Sequence, residues 1–189
     1  MKNLYFLTLI IFSTIAFSCN YKGNQKTLQD SKVPIIPDLA GKVLYFGPEL
    51  DPKTCEVGGA CGCCAWRILL IDEQKFVGVA YCDGDDSYWK GQYEIKDNIL
   101  YLSDDKLLIN SIYNWPDDSD SSNSDIPDYS IEIDTMEQKR NVVKPYFCNK
   151  TLAFEIQLKE KCFGIIDSSV NIADEIEGIK SLGIWDMLK

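Results

Sequence analysis

The segment TLAFEIQL, residues 151–158, constrains the fold of this chain more than any other feature. Large apolar side chains occupy every second position from Leu152 to Leu158, which is the period of a β-strand with one buried face. Shorter apolar runs predict further strands at 44–46, 66–71, 76–82, 88–95, 99–102, 107–112, 129–133 and 162–166. Short strands joined by tight turns are typical of an all-β antiparallel meander, so we expect a barrel or sandwich.

The turns set the expected pairing of these strands. Asp72 to Lys75 is a polar loop between two apolar runs, so Ile71 is expected to pair with Phe76. Counting outward in that register, Ala65 would face Cys82, and Cys64 would lie one position away.

The C-terminal end has a different period. Ile172, Ile176 and Ile179 are spaced as one face of a helix, and Asn171 with Asp174 is a plausible capping pair at its start. We therefore predict a short C-terminal helix after residue 170.

Composition excludes several kinds of chemistry. The 189-residue sequence contains no histidine, so imidazole-dependent nucleophilic catalysis and histidine-ligated metal sites are excluded within one chain. The formal net charge of −10 disfavours nucleic acid as a partner, because phosphate backbones repel a negative surface. Carboxylate chemistry and metal sites made only of sulfur ligands stay open. Nothing in the spacing of the acids indicates an enzyme, and we expect a non-enzymatic protein.

The N-terminus, MKNLYFLTLIIFSTIAFSC, has the pattern of a signal peptide. Lys2 supplies the positive charge, and the apolar stretch from Leu4 to Ala16 is too short for a typical membrane-spanning helix. Small Ser18 then precedes Cys19, so cleavage is expected before Cys19. Residues 1–18 are predicted to be the signal peptide, residues 19–38 a flexible tether, and residues 39–189 the folded domain.

The segment Ala16-Phe17-Ser18-Cys19 resembles the lipobox of bacterial lipoproteins. The resemblance implies that Cys19 carries an acyl anchor such as palmitate and that the membrane is a partner through it. Asn20 stands where aspartate often retains such proteins in the inner membrane, so the resemblance implies the outer membrane. The alternative is ordinary secretory cleavage with Cys19 as a plain thiol.

Apart from Cys19, seven of the eight cysteines remain, and three of them lie close together in ACGCC, residues 60–64. Disulfides are the default outside the inner membrane, and an odd number leaves at least one thiol over. The candidates are Cys55, Cys64, Cys82, Cys148 and Cys162, and the hairpin register makes Cys64–Cys82 the best single pair, with Cys63–Cys82 next. Alternatively, thiolates at Cys61, Cys63 and Cys64 could bind Cu(I), a soft ion, or act as a redox group.

The lipobox, the meander and the C-x-x-C of Cys61 to Cys64 together look like the NlpE-type copper-homeostasis and envelope-stress lipoproteins. The segment YWKGQYEIKDNILYL, residues 88–102, is similar to a hairpin of their barrel. The resemblance implies a small lipocalin-like barrel with a cysteine pair ahead of its first long strand. We expect no cofactor, and copper is the alternative that the resemblance implies.

Two further features are candidates for binding. The acidic loop NWPDDSDSSNSDIPD, residues 114–128, carries carboxylates that calcium favours, but its spacing does not match an EF-hand, and a solvated surface loop is the simpler interpretation. The tryptophans could line a sugar- or lipid-binding cleft, although such residues more often pack in a core or at a barrel mouth: Trp66, Trp89, Trp115 and Trp185. We expect a lipid-anchored envelope module that binds a small ligand or an envelope protein, with a Cu(I) or thiol-redox sensor as the alternative.

Overall fold

Antiparallel strands account for most of the described chain. The structure is a computed structural model, and it describes residues 34–58, 65–82, 85–114 and 129–189. In chain order the strands are β1 (Val43–Gly47), β2 (Glu49–Leu50), β3 (Val57–Gly58), β4 (Trp66–Leu70), β5 (Lys75–Ala80), β6 (Asp85–Lys96), β7 (Ile99–Tyr113), β8 (Tyr129–Thr135), β9 (Arg140–Cys148), β10 (Thr151–Gln157) and β11 (Lys161–Ile166), and the helices are α1 (Ile172–Ser181) and α2 (Trp185–Leu188).

Eight of these strands close into an antiparallel barrel. The order around it is β6-β5-β4-β1-β11-β10-β9-β7, and β7 pairs again with β6 to complete the ring. Strand β8 adds to the second half of β7, and β2 pairs with β3 as a separate small hairpin. The predicted all-β antiparallel barrel with a short C-terminal helix is therefore confirmed.

The inside of the barrel is filled by the alternating apolar side chains that the sequence pattern indicates. Phe46, Ile68, Leu100 and Phe154 belong to this interior cluster, and all are essentially buried. Alternation places every second residue of each strand inside, so burial of this face stabilises the closed sheet by about 25 cal/mol per Å² of apolar surface.

The C-terminal helices cover part of the outer wall. The Asn171 side chain accepts a hydrogen bond from the Ala173 amide at 3.0 Å, so Asn171 caps α1 as predicted. Ile179 of α1 and Leu188 of α2 pack on the outward side chains of the sheet, among them Leu69.

Strand β7 replaces two strands that the sequence analysis predicted separately. Residues 99–113 form one strand, with a bulge in its pairing with β6: Trp89 lies opposite Leu108, whereas Gly91 lies opposite Asp104. The polar stretch between Leu102 and Leu107 is read from sequence as a turn. In the structure this polar stretch contains the bulge, so β7 continues through it. The first half of β7 pairs with β9, and the second half pairs with β8.

Strand β9 was not predicted, because Pro145 and the charged residues around it weaken a strand pattern. Pro145 pairs with Phe154 of β10, but β7 accompanies β9 only between Arg140 and Val143. In the part of the chain that the structure describes, no other strand pairs with β9 beyond Val143 on that side. A residue without an N–H group is tolerated there.

One predicted strand pairing and one predicted segment boundary differ from the structure. Leu70, not Ile71, pairs with Phe76, because the Asp72 carboxylate accepts hydrogen bonds from the amides of Gln74 and Lys75 at 2.8 and 2.7 Å and tightens the turn. The predicted tether, residues 19–38, also extends too far, since residues 34–38 already contact the barrel. Ile36 is buried in the interior cluster, and its amide donates to the Asn98 side chain at 2.8 Å.

Candidate functional site

A cavity of about 940 Å³ opens at one end of the barrel. The strand ends at this mouth include the start of β4, the end of β5 and the start of β6, together with the turns between β8 and β9 and between β10 and β11. The large apolar side chains that line it are Trp66, Ile68, Trp89, Leu102, Leu108 and Ile156. Its size and mostly apolar lining, at the mouth of a β-barrel, are typical of small-molecule sites.

Two tryptophans form fixed walls of this cavity. The Trp66 ring stacks on Phe46 with 5.4 Å between ring centroids and 7° between ring planes. The Trp89 ring lies over Gly78 so closely that a Cβ atom at Gly78 would be 2.1 Å from Trp89 Cε2. Because the neighbouring residues fix both indoles, the apolar surface that they present is largely pre-formed.

Asp104 is a polar residue on the inward face of β7, where the preceding inward residues are leucines. Leu100 and Leu102 of β7 point into the barrel, and alternation places the next inward side chain at Asp104. Trp89 Nε1 donates to Asp104 Oδ1 at 3.2 Å, and Asn141 Nδ2 donates to Asp104 Oδ2 at 3.0 Å. The bulge of β7 begins at this residue, and bulges commonly re-aim a side chain next to a functional site.

Burial raises the pKa of the Asp104 carboxyl above its usual value, although the hydrogen bonds from Asn141 and Trp89 and the charge of Lys139 pull it down. The backbone also holds this position, because the Asp104 amide donates to the Lys139 carbonyl at 2.8 Å. A carboxylate is thus held in the cavity wall by two neutral donors.

Charged side chains at the cavity rim offset one another. Lys139 forms an ion pair with Glu137 at 3.4 Å, and both side chains are more than half exposed. Lys159 and Glu160 are exposed neighbours on the turn between β10 and β11. Solvent screens such exposed charges, so their effect inside the cavity is small.

Cys162 lines the same cavity as a buried free thiol. The prediction that Cys162 takes part in a disulfide is therefore wrong. Strand β11 turns its side chain into the barrel, away from the other described cysteines. Burial, with a smaller effect of Glu160, raises the pKa of this thiol, which keeps it protonated and a poor nucleophile at neutral pH.

Two other disulfide candidates are joined. Cys55 and Cys148 form a disulfide that ties the loop between β2 and β3 to the end of β9, and both residues are buried against Ala153. Cys82 is also disulfide-bonded, and its other half lies outside the described residues.

The cysteines of the proposed copper or redox site, Cys61, Cys63 and Cys64, lie outside the described residues, as do Cys19 and most of the acidic loop. In the residues that the structure does describe, no group of three or more acidic or cysteine side chains is placed to hold a metal ion. Of the helices described, none is long and apolar enough to cross a membrane.

A smaller cavity of about 420 Å³ lies outside the barrel, between the wall and α1. Arg67 Nη1 forms an ion pair with Glu175 Oε1 at 2.9 Å, and the Tyr81 hydroxyl donates to Glu175 Oε2 at 2.7 Å. The guanidinium also lies over the Tyr81 ring, 5.2 Å from its centroid. These contacts hold α1 on the barrel, so the Glu175 carboxylate and the Tyr81 hydroxyl already have partners. The cavity at the mouth is therefore the better candidate for a ligand site.

Sequence reasoning identified part of this site. Two of its four candidate tryptophans, Trp66 and Trp89, line the cavity, whereas Trp185 lies in α2 and Trp115 is outside the described residues. Asp104 was missed. The available signal was an aspartate at the third inward position of ILYLSD, where the alternation otherwise places leucine.

Fold and cavity together define a small closed antiparallel barrel with an apolar mouth and the half-buried Asp104 carboxylate in its wall. No protein family, no curated protein and no solved structure matches this chain. The function must therefore be argued from the cavity and the N-terminal sequence.

Proposed function

We propose that this protein is a lipid-anchored module of the cell envelope that binds a small, mostly apolar ligand in the mouth of its barrel. The observation that carries the proposal is the cavity of about 940 Å³ between Trp66, Trp89 and Ile156. Ligand sites commonly combine such a lining with a few polar groups that fix orientation, and Asp104 with Asn141 supplies them.

The chemistry of the lining favours binding over catalysis. The Cys162 thiol is kept neutral by burial, and each Asp104 oxygen already accepts a hydrogen bond from a neutral donor. The sequence has no histidine to move a proton.

The cellular location is inferred from the sequence. The lipobox-like segment that ends at Cys19 supports acylation, and Asn20 supports the outer membrane. The membrane is then a partner through the acyl chains, and nucleic acid is not a partner. Mass spectrometry of the mature N-terminus tests this directly: we expect an acylated Cys19, and an unmodified cysteine there would contradict the anchor.

Ligand binding is tested with N-phenyl-1-naphthylamine, a neutral apolar dye whose emission rises in apolar sites. We expect saturable binding to the purified protein when the dye is excited directly. Ala80→Trp should block it, because Ala80 lines the cavity at its partly exposed rim and can be enlarged without displacing the buried core. Ala173→Trp, an equal change at an exposed position of α1, is the matched control and should leave binding unchanged.

The competing function is a Cu(I) or thiol-redox sensor built on Cys61, Cys63 and Cys64. Titration of free thiols in the native, non-reduced protein separates the two proposals. Among the described cysteines only buried Cys162 is free, and it is expected to react only after unfolding. Clustered thiols in the segment 61–64 that react in the native state and bind Cu(I) tightly would favour the sensor.

A further inference from the structure

Asp104 has unused capacity to accept hydrogen bonds inside the cavity. An ionised carboxylate offers about four lone-pair positions, and among the described side chains Trp89 and Asn141 are the two that donate to it. Among the ion pairs formed by the described residues, none involves Asp104. The carboxylate is therefore a charge in the cavity wall that the protein stabilises with neutral donors and does not neutralise by direct contact.

The other charged side chains near the cavity are exposed, so the Asp104 carboxylate is the main charge in the cavity wall. Lys139 is close enough to lower the pKa of Asp104, but it is exposed and pairs with Glu137 at 3.4 Å. Lys159 and Glu160 have opposite signs and are both exposed. An anionic group placed beside Asp104 would be repelled, whereas a cationic group would replace its lost hydration with charge-assisted hydrogen bonds.

The rest of the cavity is too large and too apolar for a small cation alone. Its volume of about 940 Å³ extends along Ile68, Leu102 and Ile156, which cannot solvate a charge. These side chains fit a hydrocarbon chain or ring attached to the cationic group.

We infer that the cavity binds cationic amphiphiles, that is, a primary ammonium group joined to an apolar chain or ring, with the Asp104 carboxylate as the group that recognises the ammonium. This inference rests on the proposed binding function and names its ligand class. It goes beyond that function because a purely apolar cavity would favour the neutral alcohol over either charged group.

Three probes of equal chain length test the preference: dodecylammonium, dodecanol and dodecanoate. Each displaces N-phenyl-1-naphthylamine from the purified protein at concentrations below micelle formation. Dodecylammonium should displace the dye at a concentration about 10-fold or more below that of dodecanol, since one hydrogen bond to a charged group gives a difference of that order. Dodecanoate should be the weakest of the three.

Asp104→Asn should remove the preference for ammonium over alcohol while dodecanol still displaces the dye. Asp105→Asn is the matched control, because it removes the same charge from the adjacent residue, which is exposed and does not line this cavity. If the asparagine variant does not fold, Asp104→Ser serves the same purpose, and the comparison of the three probes on the unchanged protein needs no variant.

The outcomes separate this inference from the function on which it rests. Equal displacement by all three probes, tightest binding of dodecanol or dodecanoate, or a preference that survives Asp104→Asn would overturn the ammonium assignment and leave the binding function in place. Dye binding that is absent, or that Ala80→Trp does not reduce, would overturn both.

Discussion

Removing the Cys55–Cys148 disulfide should lower the free energy of unfolding by about 2–5 kcal/mol. The two residues are separated by 93 positions, so the bond closes a loop that holds about half of the chain. In the loop-entropy description a closed loop of this length restricts the unfolded chain by roughly 4.5 kcal/mol. We expect somewhat less, because denatured chains retain residual structure.

The double variant Cys55→Ala/Cys148→Ala measures this loss without leaving a thiol that can pair elsewhere. Alanine is chosen over serine because both positions are buried against Ala153, where a serine hydroxyl would lose its hydrogen bonds to water. Urea unfolding followed by tryptophan fluorescence gives the midpoint and the slope m. The slope should rise, since an unfolded chain without this cross-link exposes more surface.

Cys162→Ala is the control, because it removes a buried sulfur that is not part of a disulfide. Its expected cost is about 1 kcal/mol with an unchanged slope. A loss in the double variant that is no larger than this, again with an unchanged slope, would refute the loop-entropy argument.

Three further predictions concern the helix contact and the cavity wall. Glu175→Gln should destabilise the protein by about 1–2 kcal/mol in urea unfolding, because it weakens the hydrogen bonds to Arg67 and Tyr81, and an equal midpoint would contradict this role. Burial, together with Glu175, raises the pKa of Tyr81 to about 12, so the folded state keeps a proton that the unfolded state loses near pH 10. Stability should therefore fall as the pH rises from about 10 to about 12, and Tyr81→Phe should flatten that fall. Gly78→Ala should cost about 1–3 kcal/mol and shift the emission of Trp89, whose ring it would displace, and unchanged emission would show that the packing is looser than the structure indicates.

The fold was predictable from the sequence where one face of a strand is apolar and the other is not. The run from Leu152 to Ile156 shows this pattern, and β10 lies where it was expected. The prediction failed at β9, where Pro145 argues against a strand. No sequence pattern reveals that β7 ends its pairing at Val143, beyond which no described strand pairs with β9 on that side.

The cavity could be predicted only in part, since it depends on which strands become neighbours. Trp66 and Trp89 were recognisable as candidates from their type, but the contact of Trp89 with Gly78 and Asp104 depends on pairing between β5, β6 and β7. Asp104 lay in a polar stretch that resembles a turn. In the structure β7 continues through this stretch, so the alternation from Leu102 turns the Asp104 carboxylate into the barrel, and the bulge follows it.

The observed hairpin register sharpens the prediction for Cys82. Trp66 pairs with Ala80, and the same register, if continued by two residues, would set position 64 opposite position 82. The register expected from sequence placed Cys64 one residue away, and the correction at Leu70 and Phe76 removes that offset.

We therefore predict that the disulfide partner of Cys82 is Cys64. Such a bond closes a loop of 19 residues and should contribute roughly 3 kcal/mol, so Cys82→Ser should lower stability by about that amount and release one reactive thiol. Peptide mapping under non-reducing conditions identifies the partner. Because Cys61, Cys63 and Cys64 lie within four positions, the digest must cleave within this segment or the peptide must be fragmented in the mass spectrometer. A bond from Cys82 to Cys61 would contradict the register argument, since three residues of β-strand span about 10 Å and a disulfide tolerates Cα separations of only about 4.4–6.8 Å.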